Sequence, residues 1–159
     1  MELWELGLVE MQRRLQAGSL SAAELIEAHI RRIETRDSGV HAMVHRFFES
    51  ARAEAQAADA ARKSGDARPL LGLPITVKES IETKGLPSTM GVRARQSQIA
   101  ERDAVVVAIA KEQGAIVLGK TNIAQLLLSH ESENPLFGRT LNPWDPARVP
   151  GGSSGGESA

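Results

Sequence analysis

The apolar pattern of this chain changes period near residue 65, and that change limits the folds open to it. Before it, residues recur every three or four positions, as on one face of a helix: Trp4, Leu8, Met11 and Leu15, then Leu25, His29, Ile30 and Ile33. Gly18 is placed to stop the first helix. Ser21 stands three residues ahead of Glu24, the spacing of a capping box, and opens the second. An alanine-rich stretch from about Phe47 to Lys63 predicts a third helix ending near Gly65, its small residues suited to close packing. After it, Leu73, Ile75 and Val77 alternate with Pro74, Thr76 and Lys78, which is strand periodicity. The apolar set then faces a core, and Thr76 and Lys78 share the opposite face. Asp103 can cap a helix over 105–113, and Gly114 can end it. Residues 115–119 read as a short buried strand, with a further helix expected from about Asn122. Helix, strand, helix, strand order predicts an α/β architecture.

Composition removes several functions. The charges nearly cancel at a formal −1 and no long block carries one sign, so the basic face of a nucleic-acid binder is missing. Aromatic residues make up 3%, with no tyrosine, which leaves little to stack on bases. The absence of cysteine excludes disulfides, thiolate catalysis and cysteine-bound zinc. None of His29, His41, His45 and His130 has a ligand-like pairing, so core or surface roles are expected and no metal or cofactor is implied. The start carries charges throughout, without a signal-peptide run, and no stretch reaches the ~20 apolar residues of a membrane span. A soluble cytoplasmic protein is the expectation.

Three motifs carry chemistry, each with an ordinary alternative. Gly114, Gly119, Lys120 and Thr121 satisfy the G-x-x-x-x-G-K-[ST] phosphate-loop pattern. That pattern needs a flexible loop whose N–H groups turn toward phosphate, and the intervening Ala115, Ile116, Val117 and Leu118 favour a strand instead. Nucleotide binding is therefore not expected. Gly151, Gly152, Ser153, Ser154, Gly155 and Gly156 can be a linker, or a tight loop whose N–H groups converge on a small site. The ordered-looking run from Asn142 to Pro150 before it suits the second. Lys78 can be an ordinary solvent-facing strand lysine. Buried, it would lose its proton more readily and act as a base toward a serine.

These residues resemble the amidase signature family. The resemblance is carried by GLPITVKES around Lys78, by GAIVLGKTN at 114–122, by the stretch from Asn134 to the end, and by the helix SAAELIEAHIRRIETRD. Lys78-Glu79, the segment 88–91, the segment 132–138 and the Gly155-Gly156-Glu157 ending look like the fatty-acid-amide-hydrolase-like branch. The resemblance implies a mixed β-sheet flanked by helices and a Ser–Ser–Lys triad that hydrolyses a linear carboxamide. It makes Lys78 the triad lysine and Ser153, after a cis peptide bond, the bridging serine. Ser154 is expected to support the loop through hydrogen bonds. Gly151, Gly152, Gly155 and Gly156 are candidates for loop support, oxyanion or substrate contact, and Met90 and Leu127 for a substrate pocket. The nucleophilic serine belongs to a later glycine-rich loop, beyond residue 159. Residues 1–159 are thus expected to be the N-terminal portion of one amidase domain, helical over 1–65 and opening the α/β core over 66–159. Alone, it should be inactive. A small amide substrate, no nucleic acid, no membrane span and a homodimer at full length complete the expectation. The alternatives are the amidase subunit of a tRNA-dependent amidotransferase and a non-catalytic remnant or partner subunit.

Overall fold

The computed structural model describes residues 2–159. Helix α1 (Leu8–Gln16) follows a single 3-10 turn at Leu3–Glu5 and ends at Gly18, whose φ of +70° only glycine adopts readily. Helix α2 (Ala22–Arg36) begins with the expected box: Ser21 Oγ accepts from Glu24 N at 3.1 Å, and Glu24 Oε2 accepts from Ser21 N at 2.9 Å. Strand β1 (Met43–Arg46), helix α3 (Phe48–Lys63), strand β2 (Pro74–Lys78), helix α4 (Val105–Glu112) and strand β3 (Ile116–Thr121) follow. A two-residue pair, β4 (Glu133–Asn134) with β5 (Gly138–Arg139), and a single-turn helix α5 (Gly155–Ser158) complete the chain. The main sheet has the order β1-β3-β2, with β1 antiparallel to β3. Backbone bonds from Ile116 N to Leu73 O and from Glu79 N to Thr121 O run in step, so β2 and β3 are parallel and the sheet is mixed.

The chain divides into two compact units. The first comprises Met1–Thr35, Phe47–Ile75 and Ile109–Leu118. Its core gathers Leu15 from α1, Leu25, Ile26 and Ile30 from α2, Ala51 and Ala55 from α3, Leu73, Ile116 and Leu118. The buried alanines Ala51, Ala55 and Ala58 recur at helical spacing and share the core cluster with Leu25, Ile26 and Ile30 of α2. The second unit comprises Arg36–Arg46, Thr76–Ala108 and Gly119–Ala159. Much of it is loop, held by buried polar side chains rather than by a large apolar core: Glu79, Thr83, Lys120, Asn122, Ser132, Asn134 and Thr140 are all at most 5% exposed.

Two expectations are corrected. The first third is not wholly helical, because β1 lies between α2 and α3. It pairs His45 with Lys120 and Arg46 with Gly119, and Asp37 anchors its start by accepting from Ala42 N at 2.7 Å and Met43 N at 3.0 Å. No α-helix begins at Asn122. A 3-10 turn at Gln125–Leu127 stands there, with Leu126 and Leu127 at φ of +52° and +63°, which breaks any α-helical run. The phosphate-loop match dissolves as expected: 116–121 is one continuous buried strand. Gly114 has a φ of +94° after α4, and Gly119 is needed because a Cβ there would collide with His45 O.

Candidate functional site

Strand β2 follows the expected alternation only in part: Leu73 and Val77 are buried, but Ile75 is half-buried like Pro74, Thr76 and Lys78. Val77 is buried, and the next residue on the other face, Lys78, extends its amine to the glycine–serine loop. Lys78 Nζ donates to Ser153 Oγ at 2.8 Å, across 75 residues of sequence. The Gly152–Ser153 peptide bond is cis. Burial pushes the Lys78 ammonium below its ordinary range, and the nearby Glu157 carboxylate pulls it partly back. A lysine so placed can hold or accept a proton at a serine oxygen, the elementary step of a lysine–serine relay.

The loop around Ser153 is fixed from several sides. Ser153 O accepts from Ala124 N at 3.2 Å. Ser154 serves through its carbonyl, which accepts from Glu157 N and Ser158 N, and it makes no side-chain cap to α5. Gly155 N donates to Ser132 Oγ at 2.6 Å and Gly156 N to Asn122 O at 3.1 Å, so both amides are occupied within the protein. Gly156 cannot carry a side chain, since a Cβ would collide with Asn122 N and with Ala42 O. Gly151 has a φ of +95° and accepts a long 3.4 Å bond from Ser132 Oγ.

The candidate pocket residues Met90 and Leu127 share no hydrogen bond with each other. Met90 O accepts at 2.9 Å from the N–H of Leu126, the residue before Leu127, which is 38% exposed and whose own N–H goes to Ala124 O at 3.0 Å. A cavity of about 430 Å³ in the first unit is lined by Glu54, Ala58, Arg68, Leu71, Lys111 and Ile116, among others. A second of about 310 Å³, near Asp37, His41 and Phe137, belongs to the second unit. Neither includes Lys78, Ser153, Met90 or Leu127. Of the histidines, His29 and His45 carry buried Nε2 atoms without partners, and burial lowers the pKa of both. Among the described residues no cluster of three or more His, Asp or Glu is arranged to hold a metal. No helix among them is long and apolar enough to cross a membrane.

With that geometry established, comparison with known proteins gives the lineage. The family model described as Amidase matches residues 24–159. The chain belongs to the amidase family. Among curated relatives of this amidase chain is the A subunit of the glutamyl-tRNA(Gln) amidotransferase of Streptomyces coelicolor, 38% identical over 99% of this chain and 32% of that protein. Among solved structures, a fatty acid amide hydrolase superposes with a TM-score of 0.94 at 27% identity, covering 98% of this chain and 28% of that one. A bacterial aryl acylamidase described as belonging to the amidase signature enzymes superposes at 0.87 with 29% identity, covering 93% and 31%. The amidase chain thus spans about a third of the length of the curated relatives it matches.

Two buried charged residues of the second unit have partners that their spacing does not announce. Lys120 is fully buried, with Nζ donating to Pro87 O at 2.7 Å and Ser88 Oγ at 2.8 Å. Glu79, also fully buried, accepts from Thr89 N at 2.6 Å, Thr89 Oγ1 at 2.9 Å and Met90 N at 3.0 Å. The signal for Glu79 was its place beside Lys78 in a strand edge. For Lys120 it was the charge inside an otherwise apolar strand.

Proposed function

We propose that the full-length protein carrying this chain is an amidase that cleaves a linear carboxamide C–N bond through a Ser–Ser–Lys triad, of which this chain supplies Lys78 and Ser153. The observation that carries the reading is the 2.8 Å contact between Lys78 Nζ and Ser153 Oγ. Neutral Lys78 takes a proton from Ser153, which takes one in turn from a nucleophilic serine beyond residue 159. That serine attacks the carbonyl carbon. The relay runs backwards to protonate the departing amine, and water then releases the acid from the acyl-enzyme. The lowered proton affinity of Lys78 supports its role as the terminal base. On this reading residues 1–159 open a single amidase domain and do not hydrolyse amides alone.

A fluorophosphonate probe tests the assignment of roles. Treated with it, the full-length protein should carry one adduct, mapped by peptide mass spectrometry to a serine C-terminal to Ala159. An adduct on Ser153 or Ser154 would overturn the proposed relay.

The amidotransferase reading has its own support in the curated relatives, the A subunits of glutamyl-tRNA(Gln) amidotransferases, 38–42% identical across nearly the whole chain. The same relay would there release ammonia from glutamine for transfer to a charged tRNA. Ammonia release from glutamine only when partner subunits are supplied would favour it; release from simple amides by the protein alone would favour the amidase.

A further inference from the structure

Glu157 lies one turn beyond Ser153, at the exposed end of α5, where a lone carboxylate would ordinarily face water. Here both its oxygens are taken. Thr76 Oγ1 donates to Glu157 Oε2 at 2.7 Å, and Thr121 Oγ1 donates to Glu157 Oε1 at 2.7 Å. Thr76 sits on the same face of β2 as Lys78, two residues earlier, and Thr121 ends the neighbouring strand β3. One side chain therefore ties the helix that follows Ser153 to both strands beneath it. Gly155 and Gly156 let this happen, since a Cβ at either would collide with Ser132 or with the backbone at Asn122. Hydrogen bonds from hydroxyls to a carboxylate are stronger than neutral ones and fix direction at both ends.

We propose that Glu157 is a positioning residue for the Lys78–Ser153 pair: its carboxylate, clamped by Thr76 and Thr121, holds α5 so that Ser153 stays opposite the lysine, and its charge acts on that lysine. The inference rests on the relay proposed above and adds a residue to it. The Glu157 carboxylate is held by Thr76 and Thr121 rather than by Lys78 or Ser153. Its effect passes through the strand–helix clamp and through the field at Lys78, whose cation it favours.

The sign of the electrostatic effect is fixed. Removing the carboxylate charge makes Lys78 easier to deprotonate, so the neutral base becomes available at lower pH. In the full-length enzyme, Glu157→Gln should therefore move the acidic limb of the kcat/KM profile to lower pH. A limb at the wild-type position overturns the charge effect. The limb's position does not depend on how much of the variant is folded. Thr76→Val, which keeps the shape of the side chain and removes one clamp hydroxyl, should lower kcat several-fold with KM little changed, and Thr76→Ser should restore it. Wild-type kcat in Thr76→Val overturns the clamp. Should Lys78→Ala retain the wild-type rate, the relay itself is wrong. A Lys78-dependent enzyme indifferent to both substitutions refutes only the role of Glu157.

Discussion

Lys78 and Lys120 stand on neighbouring strands of one sheet and meet opposite surroundings. Lys78 is half-buried and reaches a serine, whereas Lys120 is fully enclosed among acceptors. Burial pushes Lys120 down from 10.5 to about 8, with Glu79 and Glu82 pulling the other way. An unfolded lysine keeps its proton until about 10.5. Between pH 8 and 10.5 the unfolded chain thus binds more protons than the folded one, and this residue's contribution to stability rises with pH. Below pH 8 both states hold the proton and the contribution is flat. Lys120→Met, which leaves Pro87 O and Ser88 without their donor, should destabilise by about 1–3 kcal/mol. The gap between wild type and variant should widen as pH rises from 8 to 10, measured by urea unfolding across that range. A gap independent of pH would show that Lys120 keeps an ordinary affinity for its proton. The residues before Lys120 favour a strand over a phosphate loop, and the strand is there. Its burial was not legible, since the acceptors come from a loop some 32 residues earlier.

At the scale of elements, short-range chemistry was readable and long-range chemistry was not. The box at Ser21 and Glu24 lies within four residues and forms as its spacing requires. The same helix start has a second cap that no local pattern announced: Asp59 on α3 accepts from Ala22 N at 2.7 Å and from Ala23 N at 3.0 Å. A carboxylate at a helix N-terminus both satisfies free N–H groups and meets the positive end of the dipole. Asp59→Ala should therefore cost about 1–3 kcal/mol, more than the ~1 kcal/mol of Ser21→Ala, which leaves Asp59 in place. Thermal unfolding of the two variants side by side checks the order; equal losses would make the Asp59 cap redundant. Strand β1 is not legible for the same reason. Its four residues are too few to show a period, and its partners on β3 are more than 70 residues away. The helix expected after Asn122 was lost to that residue's own bonds. Asn122 Oδ1 accepts from Ile123 N and from Asn134, and its amide reaches Thr140, which commits the segment to a loop.

At the scale of the molecule, the α/β class followed from the change of period near residue 65, because a parallel β2–β3 pair with α4 between them needs that order. The site was legible differently. Spacing alone left Lys78 with an ordinary surface reading and the glycine–serine loop with a linker reading. Only the resemblance to the amidase signature family joined two positions separated by 75 residues, and the 2.8 Å contact is between those two. What the resemblance did not convey is the polar framework around them, Glu157 with its two threonines and Ser132 beneath Gly155, because each contact joins segments distant in sequence.

The most direct measurement is ammonia release from a primary carboxamide by the full-length protein and by its Lys78→Ala variant, with circular dichroism confirming that both are folded. The account predicts a fall of several powers of ten in kcat for the variant, as when one member of a coupled triad is removed. A Lys78→Ala protein that hydrolyses the amide at the wild-type rate would contradict it.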